Sequence, residues 1–244
     1  MAYSFVQLIL DIIYPVRCPI CKKVVSSKEI RICEDCRKKL PYIQEPRCKK
    51  CSKPIMIEEK EYCKDCEHKK YHFIKGYSLW IYDEVMRQSL ADFKYHNKKE
   101  NARFYSSEIL LQFEKQMERM SVDAIVPVPI HKSKYRERSY NQAEILAKEI
   151  GRKMEIPVIS DLLIRTKKTL PQKQLSDKER LKNLEEAFAI NPLHYEVHSD
   201  RLKKILLVDD IYTTGSTIEA CTKVLIQHGF HEVFFVTVCI GKGF

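Results

Sequence analysis

The sequence predicts an α/β protein: a parallel sheet covered by helices on both faces, preceded by a small four-cysteine module that occurs twice. Eight of the ten Cys crowd into residues 18–66 as four C-x-x-C pairs. Past residue 70 these pairs cease, and short β-rich apolar runs alternate with helical patterns. Such alternation builds a parallel sheet whose strands are buried on both faces. The expected division is therefore residues 1–70 for an N-terminal helix and the cysteine module, and 71–244 for the sheet domain. A 44% hydrophobic fraction with only 6 Gly and 10 Pro excludes collagen-like and disordered chains.

The opening MAYSFVQLILDIIYP carries no basic n-region, is interrupted by Gln7 and Asp11, and has no small-residue cleavage site, so it does not read as a signal peptide. Phe5, Leu8, Ile9, Ile12 and Ile13 recur at helical spacing. The expectation is a short amphipathic helix packed on its own protein, no membrane span and a cytoplasmic location. A net charge of +10 favours anionic partners such as nucleic acid or phosphorylated small molecules.

Cys18, Cys21, Cys33 and Cys36 are each followed thirty residues later by Cys48, Cys51, Cys63 and Cys66, so C-x2-C-x11-C-x2-C occurs twice. Two residues between paired Cys let both sulfurs face one ion, and the longer excursion returns a second pair to complete a tetrahedral Zn2+ site. Two structural zinc ribbons are expected. A cross-braced pairing of first with third Cys pairs fits the count equally, but the matched period favours sequential sites. A disulfide framework would need an oxidising compartment for which the sequence gives no signal. His68 and His72 follow the last pair, yet eight Cys already fill both sites. Cys221 and Cys239 read as small buried hydrophobes.

In the second domain YHFIKGYSLWIYD reads as a strand pair, with helices over Met86 to His96 and Ala102 to Met120 and a short buried strand in DAIVPVP. YNQAEILAKEIGRKM places Ala143, Leu146, Ala147 and Ile150 on one helical face. LKKILLVDD and VFFVTVCIG are strands separated by the helix TIEACTKVLIQHG.

Ligands of such sheets bind beyond the carboxyl ends of the strands, which directs attention to ILLVDDIYTTGST. Asp209 and Asp210 end the strand, and Thr213, Thr214, Gly215, Ser216 and Thr217 lead into a helix. Backbone N–H groups and hydroxyls of that turn can converge on a phosphate at the positive helix terminus, while the twin acids can accept from a vicinal diol. That combination describes a ribose 5-phosphate. A receiver domain is not expected, since its acidic pair opens about a hundred further residues and 34 follow Asp210 here. The absence of GxxxxGK[ST] and of GxGxxG after a strand argues against P-loop hydrolysis and dinucleotide binding.

The DD-x-x-TTGST segment resembles the phosphoribosyl pyrophosphate (PRPP) signature of type I phosphoribosyltransferases. VPVPIHKSKYRERSYNQ (Val126 to Gln142), the run from Thr169 to Asn183 with Phe188 after it, and the ribbon module narrow the resemblance to the ComF/ComFC family of competence proteins. The resemblance covers essentially the whole chain. It implies a phosphoribosyltransferase-like domain, a role in DNA uptake and natural transformation, and competence partners including a helicase-like motor. It also implies PRPP with Mg2+ at the site: Asp209 and Asp210 on the ribose hydroxyls, Thr213 to Thr217 on the 5-phosphate, and Val128 and Pro129 in the pyrophosphate loop. Arg136 and Arg138, with Lys132 and Lys134, lie on the neighbouring segment and would neutralise the departing pyrophosphate if a nitrogen nucleophile attacks the anomeric carbon. Ser139 stands where the family commonly has Gly, and Glu186 where a Gly usually precedes the Ala-Phe pair.

Whether the chain is a phosphoribosyltransferase or a binding protein on that fold is open at this stage. Residues 128–153 carry seven Lys and Arg against three Glu, and 163–182 carry seven against Asp177 and Glu179, which suits single-stranded DNA. Tyr135 and Tyr140 interleave the first cluster as candidate base-stacking residues. The alternative is a non-catalytic, zinc-dependent scaffold that contacts a DNA-translocating motor through residues 18–66.

Overall fold

The computed structural model describes residues 15–25, 31–167, 186–193, 195 and 201–241. The expected N-terminal helix and the Thr169 to Asn183 run lie outside the described residues. Within the cysteine module α1 spans Glu34–Arg37 and α2 spans Lys64–His68. Beyond the module follow β1 (Lys75–Ile81), α3 (Glu84–Tyr95), α4 (Asn101–Met120), β2 (Ala124–Pro127), α5 (Lys132–Arg138), α6 (Gln142–Met154), β3 (Leu163–Arg165), β4 (Phe188–Ile190), β5 (Lys204–Tyr212), α7 (Ser216–Gln227) and β6 (Glu232–Ile240).

The expected parallel sheet is present, with four strands in the order β1-β6-β5-β2 and every pairing parallel. Alternate residues along β5 enter different cores. Leu206 and Val208 join Met86, Phe93, Phe104, Ile109 and Leu146 on one face. Ile205 and Leu207 join Leu225, Phe230 and Phe235 on the other. This period of two with both faces apolar is what a strand sandwiched between helical layers requires. Local signals set the helix starts: the Asp83 side chain accepts from the Met86 N–H, and the Asn141 side chain from the Ala143 N–H.

The two ribbons straddle the edge of the sheet at β1. Cys18, Ile32, Cys36 and Leu40 of the first enter one core, and Ile43, Cys48, Cys51 and Cys63 of the second enter the other. The outer edge of β1 is bonded to the module: Gly76 N–H donates to the Lys50 carbonyl and Ile81 N–H to the Pro41 carbonyl, both at 2.8 Å. An edge strand covered in this way offers no open ladder to another chain. Gly76 is required at the contact, since a Cβ there would lie 2.0 Å from the Phe235 ring. Ion pairs lock the first ribbon to the helices, with Lys22 on Asp92 at 3.0 Å and Arg37 on the buried Glu108 at 2.9 Å.

Three features depart from the sequence reading. The strand pair expected over 71–83 is the single strand β1, because Tyr71 and Phe73 are buried as core side chains rather than laddered. The basic segment after Pro129 contains a short helix, α5, capped by the His131 side chain and closed by Ser139 at φ 65°. That left-handed position explains why a glycine suits it, and Ser bears the strain of about 1 kcal/mol. The antiparallel pair β3–β4 has three residues per strand, too few for a periodic signal.

Candidate functional site

Each ribbon is built by the same local pattern. The Cys18 carbonyl accepts from the Lys22 N–H, and the Cys48 carbonyl from the Ser52 N–H, both at 2.9 Å. Lys22 and Ser52, thirty residues apart, both turn through positive φ. Cys33 and Cys63 occupy the N-caps of α1 and α2, which place Cys36 and Cys66 one turn on. The sulfurs fall into two groups, Cys18, Cys21, Cys33 and Cys36, then Cys48, Cys51, Cys63 and Cys66, each within 4.8 Å of one another. Measured separations of 3.6 Å for Cys51 to Cys63 and 3.7 Å for Cys21 to Cys33 match the ~3.8 Å edge of a tetrahedron with Zn–S near 2.3 Å. They are far beyond a disulfide bond of ~2.05 Å. The sites are sequential, and the donor set suits structural Zn2+. Cys221 and Cys239 are 0% exposed, as expected of small core residues.

At the carboxyl end of β5, Asp210 is buried and forms an ion pair with Lys94 of α3, while its N–H donates to Asp209 Oδ1 at 2.8 Å. Beyond it, Gly215 adopts φ 80° as the N-cap of α7. A Cβ at Gly215 would lie 2.4 Å from the Tyr212 hydroxyl, so this turn accepts only glycine without rearrangement. The N–H groups of Thr213 to Thr217 have no acceptor among the described residues. The Tyr212 hydroxyl beneath them is buried without a partner. Unsatisfied donors at a helix N-terminus, with Thr213 and Thr214 exposed, form a seat for an anion.

The segment that follows the second ribbon holds this turn from outside. Tyr71 donates its hydroxyl proton to the Thr214 carbonyl at 2.7 Å. The His72 N–H donates to Glu219 Oε2 at 2.9 Å, and its ring Nδ1 lies 2.5 Å from Glu219 Oε1. Sequence reasoning missed these contacts, because nothing in the spacing of Tyr71 and His72 points to residues nearly 150 positions away.

Around the acids the charges are uneven. Burial, then the adjacent Asp210 charge, pushes the Asp209 carboxyl well above its ordinary range. Burial alone would lower the Lys94 ammonium, but Asp210 and then Asp209 outweigh it and its pKa is raised. Lys134 is pushed down by partial desolvation and by the like charges of Arg138, Arg165 and Lys94. Because the folded-state pKa of Asp209 lies above the unfolded value, stability drawn from its protonated form is complete below the unfolded pKa, about 3.9, and disappears as pH rises through the folded one. Asp209→Asn is therefore expected to raise the urea midpoint at pH 8, with a gain that shrinks toward pH 5.5. A variant no more stable than wild type at pH 8 would contradict this.

The remaining sequence candidates divide. Arg138 is buried, while Arg136, Lys132 and Lys134 on α5 are exposed. Tyr135 is 51% exposed, but Tyr140 is buried at 6% with its hydroxyl donating to the Phe93 carbonyl, and so is not free to stack on a base. Val128 spends its N–H on the Val208 carbonyl at 2.9 Å, and Pro129 has none, so neither offers a backbone donor to a ligand. Among the described residues no helix is long and apolar enough to cross a membrane.

A family model described as "Double zinc ribbon domain" matches residues 9–67. The chain is 36% identical over 111 residues to "Competence protein F" of Haemophilus influenzae, covering 46% of this chain and 47% of that one. It is 27% identical over 152 residues to "Competence protein ComFC" of Bacillus subtilis, covering 62% and 58% respectively. The chain is thus similar to proteins named for competence, with a double zinc ribbon at its front end. A third match is "DNA utilization protein YhgH" of Escherichia coli, 31% identical over 117 residues, 48% of this chain and 49% of that one. The chain thus matches about half the length of these curated relatives.

Proposed function

We propose that this chain binds PRPP with Mg2+ at the carboxyl end of β5 and acts in DNA uptake in the cytoplasm, with contact to single-stranded DNA. The observation that carries the ligand reading is the meeting of the acid pair Asp209–Asp210 with the turn Thr213 to Thr217, whose N–H groups have no acceptor among the described residues. The acids accept from a ribose diol, and the turn seats the 5-phosphate at the head of α7. Lys94, Lys134 and Arg138 supply positive charge beside the diol site, where a pyrophosphate with its Mg2+ would carry the opposite sign.

If transfer occurs, the chain mainly positions: Arg138, fixed by hydrogen bonds to Tyr95 and Gln142, offsets charge on the leaving group. The exposed Arg136 acts only if α5 swings inward. The names of the relatives support the DNA-uptake role, and the exposed cations of α5 support contact with phosphates. Calorimetric titration with PRPP and Mg2+ tests the ligand. Wild type is expected to bind, and Asp209→Asn with Asp210→Asn to bind none while keeping its affinity for single-stranded DNA. A wild-type protein silent toward PRPP would end the ligand reading.

A further inference from the structure

Tyr95, the last residue of α3, leaves 54% of its surface exposed, yet its ring is braced. The guanidinium of Arg138, a residue only 8% exposed, lies over that ring with its carbon 4.6 Å from the centroid. Arg138 Nη2 donates to the Tyr95 hydroxyl at 2.8 Å, and Nη1 donates to the Gln142 side-chain oxygen at 2.9 Å. Gln142 sits in the first turn of α6 and is itself buried, so the support for Arg138 is part of the core. Core aromatics hide their rings, and most surface tyrosines have none of this anchoring. A large ring held rigid in water has little rotamer freedom left to lose when a flat partner packs on it.

The surroundings say what kind of partner. The residue before Tyr95 is Lys94, ion-paired with Asp210, and Lys94 and Lys134 both lie within the field of Arg138. Lys132 and Arg136 present further exposed charge on α5. A flat ring among cations suits a chain of planar groups joined by anions.

We infer that Tyr95, braced by Arg138, is a stacking platform for a nucleobase of single-stranded DNA passing the carboxyl end of the sheet, with flanking phosphates on the cations of α5. This rests on the DNA contact proposed above and gives it a residue. Stacking reads no particular base edge, so the platform is tolerant of sequence, as a strand of arbitrary sequence would require. It also replaces Tyr140, which the fold buries, as the aromatic partner of the basic segment.

The test uses the full, zinc-loaded chain and two labelled oligonucleotides of equal length and charge, one oligothymidylate and one wholly abasic, followed by fluorescence anisotropy. Tyr95→Ala is expected to weaken oligothymidylate binding about tenfold and to leave the abasic strand unchanged. Tyr95→Trp, which keeps a stacking face, is expected to bind as wild type does. Equal affinity of Tyr95→Ala and wild type for oligothymidylate overturns the platform while leaving the DNA contact standing. An equal loss on both strands also overturns it, because the ring would then act through Arg138 and its charge. A wild-type chain that binds neither strand overturns the DNA contact and the platform together.

Discussion

Cys51→Ser is expected to reduce the zinc content from two ions per chain to one and to lower the melting temperature by about 10–20 °C. A structural Zn2+ site carries roughly 10 kcal/mol or more of apparent binding free energy in isolated modules, and a loss of ~5 kcal/mol alone shifts a chain of this size by that amount. The effect is large because Cys51 is 0% exposed within the core that includes Phe73, Tyr212 and Phe235. Opening the second ribbon frees the edge of β1 at Gly76 and releases Tyr71 and His72 from the turn at the head of α7. The PRPP binding proposed above is therefore expected to disappear with the second zinc. Cys21→Ser provides the contrast: Cys21 is exposed, and the first ribbon packs against α3 and α4 rather than against that turn. It should lose an ion and some stability while keeping PRPP affinity. Metal analysis with thermal melts on both variants decides the matter, and a Cys51→Ser protein that retains two ions or its full melting temperature would refute the coupling.

Lys94→Met is expected to destabilise the chain by about 3 kcal/mol at neutral pH, because it leaves Asp210 buried without its counter-ion. The side chains are 18% and 7% exposed, so solvent screens the pair only slightly. Since the Lys94 pKa is raised, the lysine's share of the pair's contribution is complete below the unfolded lysine pKa of about 10.4 and is lost as pH rises through the folded one. The double variant Lys94→Met, Asp210→Asn removes both charges and is expected to recover most of the loss. A denaturation series over the four proteins reads this as a coupling energy. Additive losses in the double variant would mean that Lys94 contributes packing rather than charge.

Much of this molecule was legible in the chain because its signals are local. The matched C-x2-C-x11-C-x2-C spacing places four sulfurs around one ion twice, and the cross-braced alternative falls because the knuckles at Lys22 and Ser52 close each site on itself. The apolar runs around Leu206 and Phe235 declare strands buried on both faces. The glycine of the TTGST turn marks a left-handed residue over the Tyr212 hydroxyl. What misled were residues whose type fits two environments. Tyr140 and Tyr135 alternate with the same cations, yet one caps a buried carbonyl and the other faces water. Arg136 and Arg138 are two positions apart on a short helix, which turns one outward and the other onto Tyr95.

The sequence by itself determined the metal ligands, the class of sheet and the strand end at which a ligand is proposed, since each depends on residues close together in the chain and on fixed periods of two, three or thirty. Tertiary structure alone decided which cation meets which acid, that the ribbons cap the edge of β1, and that Tyr71 and His72 reach the head of α7. Those contacts join segments up to about 147 residues apart, and their energies come from burial and Coulomb attraction between partners that only the closed fold brings within a few ångströms.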